Sequence, residues 1–344
     1  MTTATTTAVA SWLTQIAAPF PICLYCGSSH LIRHWSGIKD RLGYVAGERA
    51  FLRCKNCDSL RLDPFPEPEE IAGFYPPVYS FSLDAGQKSR LRQMLTWLEY
   101  VCFYRPQYQA QARKVLRGIG WRGEKGLRLL DVGCGRGLRL SAFQKRGFQV
   151  HGLDLQPEVV DYVRHELGIA ATVGGIEAID DQFEPQSFDL ITAFYLLEHV
   201  PSVQDVLSRC FRALRPGGWF VGVVPICDGW QASLFGPHWI HVTEAPRHLS
   251  LPSRAGLLRS AERAGYTCIH LCSDSLLNSA GIVGGSLLPG SDLTAVYGGA
   301  GKWLALAKRV LGGGVALASI PFVAAENYLG RTSHGMLFAQ RPAE

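Results

Sequence analysis

The stretch Leu129-Leu130-Asp131-Val132-Gly133-Cys134-Gly135-Arg136-Gly137 constrains this chain more than any other. An apolar run reads as a buried strand, ends in a carboxylate, and passes into three glycines on alternate positions. The pattern over 138–146 then reads as a helix. Strand, glycine bend and helix in that order bring bare backbone against a ligand, because a Cβ at the glycines would collide with it. The spacing differs from the Gly-x-Gly-x-x-Gly of dinucleotide folds, and no Lys-Ser or Lys-Thr pair follows as in a phosphate-cradling loop. A second strand over 149–154 ends in Asp154, 17 residues beyond Gly137. In a doubly wound sheet that carboxylate stands at the tip of the neighbouring strand and can accept both hydroxyls of a ribose. Asp131 suits a cationic amino group. The implied ligand carries a ribose and a positively charged tail, and needs no phosphate clamp.

Strands then alternate with helices. A third strand is expected over 170–173, a fourth over 190–194 and a fifth over 219–224, with Arg215-Pro216-Gly217-Gly218 as the turn before the fifth. Segments 266–271 and 336–340 read as strands six and seven. Such alternation predicts an α/β fold, a Rossmann-like doubly wound sheet with helices on both faces and ligands beyond the carboxyl ends of its strands.

Two Cys-x-x-Cys knuckles, Cys23 to Cys26 and Cys54 to Cys57, precede this unit and are separated by 27 residues. Paired knuckles can close a tetrahedral site around one zinc ion, with Gly27 making the tight turn after the first. Four redox-active or unpaired thiols are the other reading. A closed four-thiolate site has no open position, so its role would be structural: it would fold a segment too small for a core of its own. The segment 21–80 is therefore expected to be a zinc ribbon whose core is separate from that of the main unit. Cys102, Cys134, Cys210, Cys227, Cys268 and Cys272 lack metal spacing and read as small buried hydrophobes.

Five segments in order (129–137, 150–154, 174–179, 187–200 and 215–224) resemble the class I S-adenosylmethionine-dependent methyltransferases; the resemblance runs from about 126 to 266, with a final strand near 335–340. The resemblance implies a seven-stranded sheet whose sixth and seventh strands pair antiparallel, and S-adenosylmethionine as cofactor. It places Asp131, Gly133, Cys134, Gly135 and Gly137 at the methionine part and Asp154 with Leu155 at the ribose. Ile176 and Glu177 fall on the adenine-contacting loop, and Phe194 at the tip of strand four. Gly175 stands where the family often has Asp. A zinc ribbon joined to this fold resembles methyltransferases found with sugar-nucleotide and polysaccharide synthesis.

Hydrophobic residues make up 47% of the 344, enough for a sizeable core rather than a disordered chain. The net charge of +5 is mild and points to no acidic partner. Residues 1–20 lack the basic start and continuous apolar core of a signal peptide and read as a disordered tail. Ten cysteines in 344 residues are too sparse for a disulfide scaffold, so a reducing cytoplasm is expected. Residues 81–125 read as a helical lead-in over the cofactor site, interrupted at Pro106, and 126–344 as the methyltransferase domain. Within the latter, about 275–334 is a hydrophobic helical insertion. Its run over 310–325 is too short to cross a bilayer. It is either a buried helical pair or, with Lys302, Lys308 and Arg309, a peripheral membrane contact over 303–325.

Methyl transfer is an in-line displacement that must bring the acceptor close and, for a hydroxyl, remove its proton. His248, in a stretch after strand five that resembles sugar and lipid methyltransferases, is the leading base. His199, after strand four, is the second; His238 and His241 are weaker candidates. Arg247 is expected to hold an anionic acceptor group. The reading is methylation at oxygen or carbon of a small acceptor, a sugar or lipid-linked glycan precursor. One alternative is an RNA methyltransferase gripping nucleic acid through the zinc module. Against it, that module's basic residues are spread out rather than clustered with aromatics. The other alternative is a non-catalytic cofactor-binding scaffold.

Overall fold

The computed structural model describes residues 21–75, 101, 105–288 and 302–344. The tail expected over 1–20, most of the helix expected over 89–104, and Cys102 lie outside them.

Eleven strands among the described residues form two sheets. The small antiparallel sheet contains β1 (Leu31–Ile38), β2 (Arg49–Cys54), β3 (Leu60–Asp63) and β9 (Ser250–Leu251). The large sheet runs β10 (Thr267–Ser273), β11 (His334–Gln340), β8 (Leu214–Pro225), β7 (Phe188–Phe194), β4 (Arg128–Val132), β5 (Gln149–Asp154), β6 (Ala170–Val173). Strands β4 to β8 pair parallel, and β11 runs antiparallel to both β8 and β10. Leu129, Leu130, Leu190, Ile191 and Val221 are fully buried, as continuous apolar runs must be when helices cover both faces of a parallel sheet. Helices α1 (Arg105–Gly118), α2 (Leu138–Gln144), α3 (Pro157–Leu167), α4 (Val203–Ala213) and α5 (Arg254–Arg263) flank it.

Strand boundaries differ from expectation at β7, β8, β10 and β11. β7 begins at Phe188, which pairs with Leu214, and the register then jumps to Leu190 opposite Trp219. The turn expected at 215–218 is thus a bulge inside β8, with Gly217 at φ 76°.

The expectation of two separate cores fails. Cys23, Tyr25, Cys54 and Cys57 belong to one apolar cluster with Leu257, Ala261, Tyr266 and Leu130. Ile38, Phe51, Leu60 and Leu62 pack with Trp239, Ile240, Val242 and Leu249. The physical reason is β9: its residues 250 and 251 complete the small sheet beside β3, so the ribbon has no free inner edge. Ser253 Oγ donates to the Cys57 carbonyl, and a Cβ at Gly256 would collide with Ser59 Oγ, so α5 starts hard against the second knuckle.

In the insertion, α6 (Leu276–Leu287), α7 (Lys302–Ala318) and α8 (Ile320–Tyr328) surround a small cluster of Ala280, Val283 and Val323. Gly284 permits the crossing of α6 and α7: a Cβ there would lie 2.8 Å from the Gly312 carbonyl oxygen. Outside that contact Val310, Leu311 and Leu317 are 70%, 58% and 65% exposed. No single described helix is long and apolar enough to cross a membrane, whereas Val310–Ala318 and Ile320–Tyr328, bent by 43°, pass together by length and composition. Among the six cysteines expected to be buried, Cys134 and Cys210 are, Cys227 and Cys272 are partly buried, and Cys268, at the irregular start of edge strand β10, is exposed.

Candidate functional site

The glycine bend is held open by its own backbone. Gly133, Gly135 and Gly137 adopt φ of 70°, 50° and 64°, a left-handed region that other residues enter only with strain. The amides of Gly133 and Cys134 donate to the Leu153 carbonyl at 2.8 and 3.0 Å, tying the bend to β5. Asp154, at the tip of β5, accepts from the Gly135 amide at 2.9 Å and from the Gln156 amide at 3.1 Å. Asp131, at the tip of β4, accepts from the Thr192 hydroxyl at 2.6 Å through Oδ1, while its buried Oδ2 has no partner. Burial pushes the Asp131 carboxyl up to about 6, against the Thr192 hydrogen bond and the charge of Arg139.

After β6, Glu177 folds back to accept from the Gly175 amide at 3.2 Å. A Cβ at Gly175 would lie 2.5 Å from its carboxylate, so Glu177 fills the space a side chain at 175 would take. The Glu177 Oε2 is also buried without a partner. Leu155 is exposed at the site's rim, whereas Ile176 and Phe194 are buried. Cys134 is buried and its thiol is pushed up by burial, which makes it a packing residue against Gly152 rather than a nucleophile. The predicted cofactor residues therefore converge at the carboxyl ends of β4 to β7. The two orphaned carboxylate oxygens call for donors from a ligand, because a buried acceptor left unpaired costs about 1–3 kcal/mol.

The histidines form a buried neighbouring group. The rings of His199 and His248 are 4.7 Å apart. His248 Nδ1 donates to the His241 carbonyl at 2.7 Å. His199 Nδ1 lies 3.1 Å from both the Tyr75 hydroxyl and the Arg247 carbonyl. Carbonyl contacts at Nδ1 leave each Nε2 with its lone pair. Burial keeps these rings neutral: His199 is pushed down to about 4, and His248 and His241 well below the usual histidine range. Glu198 is buried with Oε2 unpartnered, and burial pushes it up to about 8. One ligating atom from each of Glu198, His199 and His248 lies within 4.8 Å of the others, so the trio can share a proton or hold a cation. Of the weaker candidates, His238 is exposed, and His241 Nε2 is 2.7 Å from His334 Nε2 in a deeper chain.

Arg247 does not face an acceptor. It is fully buried, bonded to Asp40 at 2.5 and 3.2 Å, to Glu244 at 3.1 Å and to the Phe74 carbonyl at 3.3 Å. Its forked donors are used inside the protein, which overturns the expected role in anion binding. Asp40 lies in the loop between β1 and β2, so the ribbon itself clamps the segment that carries His248.

A polar network that the motif search passed over borders the glycine bend. Tyr195, at φ 56°, donates from its hydroxyl to Asp274 at 2.8 Å and accepts from Asn278 at 2.6 Å. Gln111 donates to both Asp274 oxygens at 2.9 Å and accepts from Arg139 Nε at 3.1 Å. The available signal was the one that marked Asp131 and Asp154: Asp274 follows the carboxyl end of β10, which lies parallel to β8.

In the four-cysteine group, Cys23 and Cys57 sulfurs are 3.5 Å apart, as are those of Cys26 and Cys54, and all four lie within 4.8 Å. A tetrahedral zinc with Zn–S of about 2.3 Å needs sulfurs about 3.8 Å apart. Gly27 and Asp58, each directly after a knuckle, take φ of 74° and 65° and turn the two knuckles alike.

Residues 104–271 match the sequence profile described as "Methyltransferase domain". A ubiquinone biosynthesis O-methyltransferase of Idiomarina loihiensis is 37% identical over 29% of this chain and 48% of its own length. One from Burkholderia vietnamiensis is 42% identical over 27% and 42%. The chain thus spans about half the length of the curated relatives it matches. Among solved structures, Haemonchus contortus phosphoethanolamine N-methyltransferase 2 in complex with S-adenosyl-L-methionine is 19% identical, with a TM-score of 0.48 over 91% of this chain and 69% of that chain.

Proposed function

Because the chain carries a class I S-adenosylmethionine-dependent methyltransferase domain beside a four-cysteine module, we propose that it methylates an oxygen or carbon of a small acceptor, a sugar or lipid-linked glycan precursor. The observation that supports the donor part of this reading is the pair of orphaned carboxylate oxygens of Asp131, before the glycine bend, and Glu177, after β6. S-adenosylmethionine, when bound, supplies the electrophilic methyl. Its amino group suits Asp131, its ribose Asp154, and its adenine amino group Glu177, with Leu155, Ile176 and Phe194 as apolar walls. His248, with His199 beside it, takes the acceptor proton at Nε2, since the neutral ring has its lone pair there. Cys23, Cys26, Cys54 and Cys57 hold one structural zinc. Nucleic-acid binding finds little support: Arg33 and Arg53 pair with Asp63 and Asp58, and Arg61 stacks on Phe65.

Calorimetry with S-adenosylmethionine, joined to tritium-methyl transfer into fractionated extract, tests this. Asp154→Ala should weaken donor binding by about 1–3 kcal/mol. Unchanged affinity removes Asp154 from the site, and absence of binding by the native chain rejects the reading.

The exposed Val310, Leu311 and Leu317 suit the acyl boundary of an anionic bilayer, where a lipid-linked acceptor would reside. The one acid of the α7–α8 pair, Glu326, points inward to Gln231 and Ser333, while the pair's sequence carries Lys302, Lys308 and Arg309 and nearby Arg331 is exposed. Vesicles containing phosphatidylserine should therefore pellet the protein, and Leu311→Asp with Leu317→Asp should release it. Equal recovery of both proteins in the supernatant dismisses the membrane contact.

A further inference from the structure

We propose that Arg139 receives the α-carboxylate of the methyl donor's amino-acid tail, across the site from the carboxylate of Asp131. The proposal rests on the donor reading above. Arg139 is the second residue of α2, directly after the glycine bend. Its guanidinium carbon lies 4.5 Å from the Phe194 ring centre, 5.0 Å from that of Tyr108 and 5.9 Å from that of Tyr195. Its Nε is occupied by Gln111 Oε1 at 3.1 Å.

The two terminal nitrogens are different. Among the described residues, no carboxylate oxygen comes within 4.0 Å of Arg139. The nearby acids are engaged elsewhere: Asp274 is bonded by Gln111 and Tyr195, and Asp131 Oδ1 by Thr192. The charge of Arg139 nevertheless reaches both, drawing each carboxyl down against its burial. A half-buried cation held over three rings without an anion has lost much of its hydration and gained only cation–π contacts. Its free edge presents two parallel N–H donors, the geometry that a carboxylate meets with both oxygens. Asp131 Oδ2, the neighbouring orphaned acceptor, supplies the opposite charge. A cation and an anion lining one end of the glycine bend match the ammonium and carboxylate of a zwitterionic tail.

Gln111 makes the geometry specific. Its amide is fixed at one end by both Asp274 oxygens, so its carbonyl holds the Arg139 Nε in place. Arg139 therefore stands preorganised, with little side-chain entropy left to lose on binding.

The test is calorimetry on the full chain with two ligands, S-adenosylmethionine and decarboxylated S-adenosylmethionine, which keeps the sulfonium, ribose and amino group. In the native protein the decarboxylated ligand should bind roughly 10- to 100-fold more weakly, the range expected for charged hydrogen bonds. Arg139→Met should raise the dissociation constant of S-adenosylmethionine by a similar factor and leave that of the decarboxylated ligand within about twofold. The retained binding of the second ligand also shows that the variant is folded. Equal weakening of both ligands by Arg139→Met would mean that Arg139 only braces α1 against α2, and would overturn the proposal. So would no change in either. Failure of the native chain to bind any adenosyl sulfonium would instead refute the donor reading itself.

Discussion

Stripping metal from the four-cysteine site will unfold more than the N-terminal ribbon. In a chelator melt, far-UV ellipticity and donor binding should be lost together, at a temperature far below that of the metal-loaded protein. Structural zinc supplies about 10 kcal/mol or more of apparent binding free energy in isolated fingers. A folded domain is commonly stable by only about 5–15 kcal/mol. In a molecule with two independent cores that loss would stay local. Here Cys23, Cys54 and Cys57 are buried in the cluster that includes Leu257, Tyr266 and Leu130. The small sheet shares β9 with the segment that follows His248. Cys57→Ser should behave as the chelated protein does. Donor binding that survives chelation with an unchanged dissociation constant would show that the shared core does not couple the two parts.

Asp40→Ala is the second large effect. The Asp40 and Arg247 side chains are both 0% exposed, so the variant leaves a guanidinium sealed from water without the carboxylate that, among the described residues, lies nearest to it. Glu244 is already shared with Arg41 at 2.7 Å. Breaking a buried pair by removing one partner costs about 3–5 kcal/mol. Asp40 also accepts from the amides of Leu42, Tyr44 and Val45, each at 2.9 Å, so the β1–β2 loop loosens as well. Urea denaturation measures the loss, and a cost under about 1 kcal/mol would mean the pair is not formed. Asp40→Leu with Arg247→Met should recover much of it, because a neutral pair of similar volume avoids the stranded charge.

The pH dependence has a definite sign. Burial alone would raise Asp40, yet the Arg247 hydrogen bond and the Val45 and Leu42 amides hold its carboxyl below the usual carboxylate range. Its contribution is present at neutral pH and is lost as pH falls through that depressed value.

Much of the donor side was legible in the chain because its signals are local. Continuous apolar runs mark strands buried on both faces, glycines on alternate positions mark a bend without side chains, and an acid ending a strand marks the ligand edge. These patterns placed β5 with its observed bounds and put Asp131 and Asp154 at the tips of adjacent strands. Arg247 shows where local reading stops. A basic residue beside a histidine, in a loop after a strand, looks the same whether it meets a ligand or an aspartate over 200 positions away. Asp40 decides the matter, and nothing in the neighbourhood of Arg247 announces it. Arg139 was passed over for the converse reason: its free edge is visible only once Gln111 is seen to hold Nε and Asp274 to be bonded by Gln111 and Tyr195.

The chain by itself determined the alternation of strand and helix, the glycine bend with its acids, and the two thiol knuckles. Each of these follows from hydrophobic periodicity, backbone freedom or ligand spacing within a few residues. Only the tertiary structure decided that the ribbon and the main sheet share a core through β9, that Arg247 is sealed inside, and that Arg139, held at Nε by Gln111, has no carboxylate partner among the described residues. Burial and charge pairing are properties of residues brought together from distant positions, and free energy depends on which groups meet after folding.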